Sequence, residues 1–318
     1  MFDTDKLLSG NIRALSKAIT LTESSKSEHQ KQAEDLIESI LPHTGNSKRI
    51  GISGTPGVGK SSFIEKLGIQ LINKGHKVAV LAIDPSSPIS GGSILGDKTR
   101  MEKLSQNPNA YIRPTPASGN LGGVAQKSRE AMLLCEAAGF DIILIETVGV
   151  GQSEVEVSNL VDIFTVMLLP GGGDELQGIK KGIIEIADCI LINKADNENI
   201  QRAETTMREY QSALHIVSKK DAPINIQTTS SETMRGLDDY IKYINDKFTK
   251  DPQAIQQKRI SQSKKWLNSL FFELINRKIS ENKDLDLLRN KKVQEIVENK
   301  TTPIKSAKVL IQELFSGK

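Results

Sequence analysis

Cysteine is nearly absent: Cys135 and Cys189 are the only two in 318 residues. That excludes a disulfide scaffold and a multi-cysteine zinc or iron–sulfur site. The four histidines, His29, His43, His76 and His215, form no His-x-x-x-His pair, so a histidine-rich metal site is not expected. No run of 18 apolar residues occurs, and none of the chain is expected to span a bilayer as a helix. The first 25 residues lack an apolar core and carry Asp3, Asp5 and Glu23, which argues against a secretory or transit segment. Neither sign of charge dominates. Lys and Arg total 42, Asp and Glu 39, for a net charge of +3, which argues against a dedicated nucleic-acid binder. The expectation is a soluble protein of a reducing compartment, the cytoplasm. It is long enough for about two domains and a sizeable core.

Apolar residues recur at helical spacing through residues 1–45, at Leu7, Leu8, Ile12, Leu15 and Ile19 and again at Ala33, Leu36, Ile37 and Ile40. Pro42 and Gly45 then break the pattern. Short apolar runs alternating with helical patterns follow, at 49–53, 78–83, 142–145, 163–169, 190–192 and 224–227. Such alternation predicts an α/β fold with a mostly parallel central sheet flanked by helices. From about residue 246 the pattern is helical only, with a stripe of Trp266, Leu267, Leu270, Phe271, Leu274 and Ile275. Residues 247–318 hold 16 Lys and Arg against 8 Asp and Glu, which reads as a solvated basic helical face. The expected organisation is an N-terminal helical extension over 1–45, a central nucleotide-binding domain over 46–245 and a C-terminal helical region over 246–318.

The run at 49–53 leads into Gly54-Thr55-Pro56-Gly57-Val58-Gly59-Lys60-Ser61-Ser62. This is G-x-x-x-x-G-K-[ST] between a predicted strand and a predicted helix, the context a phosphate-binding P-loop requires. The glycines let backbone N–H groups face phosphate oxygens, and the following helix points its positive end at the same anion. Lys60 is placed to neutralise the β- and γ-phosphates, and the Ser61 hydroxyl to ligate Mg2+.

Base identity is read from Asn193-Lys194-Ala195-Asp196, at the end of another strand run. Guanine presents two adjacent donors, N1–H and the N2 amino group, and one carboxylate accepts both. Adenine offers an acceptor at N1 and nothing at C2, so Asp196 would be left unpaired. GTP and GDP are therefore the expected ligands, with Asn193 tying this loop to the P-loop and Lys194 lying along the base. The segment Thr229-Ser230-Ser231-Glu232 is the candidate for the backbone contact to guanine O6, so Ser230, Ser231 and Glu232 join the site.

Acids at strand ends are candidates for the metal. Glu146 stands three residues before Gly149, the usual second Mg2+ locus of P-loop GTPases, and Asp84 closes the run at 78–83. Asp97 lies in a glycine-rich stretch, and Lys180 in a second one, Pro170 to Lys181. Where a Ras-like enzyme has Gln directly after the glycine, this chain has Val150, with Gln152 displaced.

These residues carry a resemblance. The chain resembles the MeaB/ArgK-type P-loop GTPases, chaperones of adenosylcobalamin-dependent methylmalonyl-CoA mutase. The matching stretches are 54–62, 84–87, 91–101, 112–114, 121–124, 146–154, 172–182, 193–196 and Gln262-x-x-x-Trp266. The resemblance implies that Asp84 and Glu146 belong to the Mg2+ site together with Ser61. It implies that Asp97 is a switch acid linked to metal and hydrolysis, and that Lys180 serves communication with the mutase. It also implies a homodimer joined through the C-terminal helices. Methylmalonyl-CoA mutase or another cobalamin-dependent acyl-CoA mutase is the implied partner, with no membrane or nucleic-acid role. Two positions depart from the family pattern: Ser118 stands where Arg is usual, and Ser231 where Ala is more common. The alternatives are a metal-inserting GTPase, a small-molecule kinase and a pure binding module. The separated cysteines argue against the first, and Asn193-Lys194-x-Asp196 against the second.

Overall fold

The computed structural model describes residues 2–84, 101–116, 121–147, 153–171, 181–217 and 224–316. They form two compact units, one over residues 1–259 and one over 260–318. The first unit opens with α1 (Thr4–Leu8), α2 (Ile12–Glu23) and α3 (Ser27–Ile40). Asn11 starts α2 by accepting from the Ala14 amide at 3.0 Å, which satisfies one of the free donors of the first turn.

The sheet follows as β1 (Lys48–Gly54), β2 (Val78–Asp84), β3 (Ala110–Pro116), β4 (Ile142–Thr147), β5 (Ile163–Leu168), β6 (Cys189–Ile192) and β7 (Asn225–Thr228). The order is β3-β2-β4-β1-β5-β6-β7, and every neighbouring pair is parallel. Between the strands lie α4 (Lys60–Asn73), α5 (Glu102–Ser105), α6 (Leu121–Ala137), α7 (Ser153–Ser158), α8 (Lys181–Ile186), α9 (Asn199–Val217) and α10 (Leu237–Lys250). β4, β5 and β6 are buried at every position, which is why they read as mostly apolar runs.

Two apolar clusters cover the two faces of the sheet. One joins α1–α3 to α6–α9 through residues such as Leu15, Ile19, Ile143 and Phe164. The other joins α4, α5 and α10 through Phe63, Leu67, Leu104 and Tyr240. The N-terminal helices thus share a core with the sheet, and burial of that apolar area supplies most of what holds them there.

β3 is the strand that the apolar runs do not announce. It carries Arg113, Pro114 and Pro116, and proline removes a ladder donor, so such a segment is confined to an edge. β3 sits at the edge. Arg113 projects to Glu23 at the end of α2, where the guanidinium and carboxylate pair.

A second feature that sequence patterning does not show is an ionic network at the amino ends of the strands. Arg49 donates to both oxygens of Glu136 at 2.7 and 2.9 Å. Ser47 and the Gly45 amide donate to the same carboxylate. Arg259 donates to both oxygens of Asp162 at 2.7 and 2.6 Å, and Lys258 reaches Asp188 at 2.8 Å. Burial pushes the Glu136 carboxyl up, but its bonds to Arg49, Ser47 and the Gly45 amide outweigh burial and hold it below the ordinary value.

The second unit is helical. It contains the later part of α11 (Pro252–Glu281), followed by α12 (Lys283–Val297) and α13 (Pro303–Ser316). Leu267, Phe271, Phe272 and Leu274 of α11 are exposed, as are Leu287 and Val297 of α12 and Ile304 and Phe315 of α13.

Candidate functional site

β1 delivers the chain into the P-loop at its carboxyl end. A Cβ at Gly54 would stand 2.5 Å from the Met167 carbonyl of β5, so only glycine lets the strand turn there. Val58 is fully buried and pins the loop, while Pro56 and Gly57 are exposed. Gly59 precedes α4 with φ 96°, and no side chain caps that helix. The N–H groups of its first turn are therefore presented to an anion. Lys60 is buried and donates to the Gly54 carbonyl at 2.7 Å and the Thr55 carbonyl at 3.2 Å. Burial lowers the pKa of its ammonium, and the charges of Glu146 and Glu154 oppose that shift. Ser62, in the same first turn, is exposed.

The next pair lies between β1's helix and β4. Ser61 donates to Glu146 Oε1 at 2.9 Å, and Glu146 is buried. One residue on, Thr147 donates to the Ser53 hydroxyl at 2.9 Å, which locks β4 to β1 beside the P-loop. A hydroxyl and a carboxylate oxygen adjacent to a phosphate cradle match the hard oxygen ligands that Mg2+ takes. That ion keeps several waters and uses few protein ligands, so Ser61 and Glu146 fit it. Asp84 is the last residue of β2, in register with Pro116 of β3. Asp97 and Lys180 lie outside the described residues.

The Asn193-Lys194-Ala195-Asp196 loop follows β6. Asn193 is buried, and its Nδ2 donates to the Val58 carbonyl at 2.7 Å, the tie to the P-loop that the motif predicts. A Cβ at Gly59 would stand 2.7 Å from the same nitrogen. Lys194 takes φ 58° and is exposed, a left-handed residue between Asn193 and Asp196. Ser230 donates to Asp196 Oδ2 at 2.6 Å. The Ser230 oxygen also accepts from the Glu232 and Thr233 amides at 3.2 and 3.1 Å. Ser231 donates to Asn193 Oδ1 at 3.3 Å, and Glu232 is exposed. The Ala195 amide donates to the Thr229 carbonyl at 3.0 Å, so the 193–196 and 229–232 loops are joined through backbone as well as side chains.

Several contacts around this edge carry no signature in the sequence. Arg235 pairs with Glu204 of α9 at 2.9 Å. Thr206 of α9 accepts from the Gly171 amide at 2.8 Å. Common residue types at long range make these bonds, and spacing does not predict them. Cys135 and Cys189 are fully buried and belong to the clusters on opposite faces of the sheet. Burial raises both thiols, which suits core packing, and their places on opposite faces of the sheet keep them from sharing one metal ion.

Comparison with known proteins agrees with this arrangement. The family model described as methylmalonyl Co-A mutase-associated GTPase MeaB matches residues 15–284. "GTPase ArgK" of Escherichia coli is 45% identical over 302 residues, spanning 94% of this chain and 91% of that protein. "Methylmalonic aciduria type A homolog, mitochondrial" of Mus musculus is 44% identical over 282 residues, spanning 84% of this chain and 68% of that protein. A solved structure described as LAO/AO transport system kinase superposes with a TM-score of 0.77 at 36% identity, covering 98% of this chain and 96% of that one.

Proposed function

The chain belongs to the MeaB family of P-loop GTPases, and on that premise we propose that it is a Mg2+-dependent GTPase serving a cobalamin-dependent acyl-CoA mutase. Methylmalonyl-CoA mutase is the partner this reading favours. GTP binding and hydrolysis would be coupled to loading, protection or reactivation of the mutase cofactor. The observation that carries the reading is the bonded link of Asn193 to the Val58 carbonyl, with Asp196 held by Ser230 next to it. It supports a site in which a guanine-type acceptor is tied to the loop that would hold the phosphates.

In this reading Lys60 exchanges its two carbonyl partners for the β- and γ-phosphates, and the first-turn N–H groups of α4 hold the remaining phosphate oxygens. Ser61, Glu146 and Asp84 hold the metal with Asp97. The ion supplies neutralisation of charge on the phosphate oxygens. Asp97 serves hydrolysis, and Lys180 carries the response to the mutase. The mouse relative's name supports the link to methylmalonyl metabolism. The exposed Leu267, Phe271, Phe272 and Leu274 on one long helix support a homodimer formed through the C-terminal region. The reading places the protein in the cytoplasm. Among the described residues, no helix is long and apolar enough to cross a membrane.

The test is steady-state phosphate release from GTP and ATP, with Mg2+ and after chelation. GTP turnover that requires Mg2+ is expected. Turnover of ATP at the same rate, or turnover unchanged by chelation, would overturn the reading.

A further inference from the structure

Two consecutive serines, Ser230 and Ser231, each hold one polar residue of the base-reading loop. Ser230 donates to Asp196, and Ser231 to Asn193. The second bond continues further. Asn193 has one amide nitrogen and one amide oxygen to place. The Val58 carbonyl accepts only, so it fixes the nitrogen toward the P-loop at 2.7 Å. The oxygen must then face the other way, and there the Ser231 hydroxyl meets it at 3.3 Å. Among the described residues, that hydroxyl is the one partner of Asn193 Oδ1. Asn193 is 1% exposed, so water does not readily replace a lost donor.

We propose that the Ser231 hydroxyl is a positioning residue of the nucleotide site, holding the Asn193 amide in the orientation that supports the P-loop at Val58. The chain of bonds Ser231–Asn193–Val58 connects the loop expected to touch the base with the loop expected to hold the phosphates. Two observations make the orientation matter. The Asn193 nitrogen lies where a Cβ on Gly59 would fall, at 2.7 Å, so the amide packs directly on the P-loop backbone. Gly59 is also the residue that opens α4 at φ 96°, one position before Lys60. An amide that turned over would set its oxygen against the Val58 carbonyl, acceptor facing acceptor. An alanine at 231, the commoner residue in the resembling family, has no hydroxyl to oppose that turn. The inference rests on the guanine-nucleotide reading of the site and adds to it a specific role for a side chain.

The test is a double-mutant cycle on the full chain, with a fluorescent GDP analogue titrated into wild type, Ser231→Ala, Asn193→Ala and the double variant. A neutral hydrogen bond of this length predicts that Ser231→Ala weakens GDP binding about threefold. Ser231→Thr, which keeps a hydroxyl, should stay within about twofold of wild type. In the Asn193→Ala background, Ser231→Ala should have no further effect. Wild-type affinity in Ser231→Ala overturns the proposal, and so does equal weakening in both backgrounds. Should Asn193→Ala bind too weakly to titrate, the same cycle is read from melting of the nucleotide-free chain, where both bonds are already present. Additive melting shifts would then refute the link. If wild type binds no guanine nucleotide, the reading of the site fails, and the melting cycle still decides the bond chain.

Discussion

Replacing Asp196 by Asn exchanges one carboxylate oxygen for an amide nitrogen and should convert the preferred base from guanine to xanthine. In the structure Ser230 donates to Asp196 Oδ2 at 2.6 Å. After substitution the hydroxyl selects the orientation, because it needs an acceptor and the Asn carbonyl oxygen is the acceptor available. The amide nitrogen is then turned toward the base. Guanine brings two donors, and one of them now meets an N–H2 group instead of an oxygen. Hydrogen bonds to a charged partner contribute about 1.5–3 kcal/mol each, and an unsatisfied buried donor adds a similar cost. The loss for GDP should be about 3–4 kcal/mol, or between a hundredfold and a thousandfold in affinity. Xanthine carries a carbonyl at C2 and accepts from the new amide, so XDP binding should rise. Competition titration of GDP and XDP against a fluorescent nucleotide reads both changes. If Asp196→Asn keeps its preference for GDP, the carboxylate does not read the base, and the orientation imposed by Ser230 is irrelevant to specificity.

Lys60→Ala should weaken GTP binding at least about a hundredfold by calorimetry, since a point charge is lost from the phosphates. Its thermal stability without nucleotide should change little, because the desolvated ammonium leaves together with its bonds to Gly54 and Thr55. Asp97→Ala should lower GTP turnover far more than GTP affinity, as expected of a group that works in the transition state. Equal losses would mean that Asp97 only helps to hold the metal in the ground state and does not serve hydrolysis. Arg49→Met should destabilise the chain by about 3–5 kcal/mol, because Glu136 stays buried after its paired charge is removed. The folded-state pKa of Glu136 lies below its ordinary value of 4.5. Its stabilisation is therefore present above that value and fades as pH falls through the lower folded value. Urea melts of wild type and Arg49→Met should converge on acidification through that window, and a constant difference would contradict the role given to this pair.

The central sheet was legible because its inner strands are buried on both faces and therefore mostly apolar, as in Ile142–Ile145 and Ile163–Leu168. The P-loop and Asn193-Lys194-x-Asp196 were legible because their chemistry demands particular residue types at fixed spacing after a strand. β3 was not, since Arg113, Pro114 and Pro116 fit an edge strand and match no strand pattern. The Glu136–Arg49 and Asp162–Arg259 pairs were also hidden. Each joins residues about ninety apart in the chain, and charged residues at such distances resemble an ordinary solvated surface until the fold brings them together. The Ser231 hydroxyl shows a third limit: its position was expected to serve the base through its backbone, and only the geometry reveals the side-chain bond to Asn193.

The coupling to a mutase is tested most directly by measuring GTP affinity and GTP turnover of the wild-type chain with and without a purified adenosylcobalamin-dependent methylmalonyl-CoA mutase from the same source. A nucleotide-sensitive complex predicts that the mutase changes GTP affinity, and that GTP changes mutase affinity by the same factor. The mutase should also alter turnover in wild type, with a blunted effect in Lys180→Ala, whose GTP affinity without mutase should stay near that of wild type. Unchanged affinity and turnover over the full range of mutase concentration, with no complex formed, would contradict the proposed role and leave a GTPase that serves another partner.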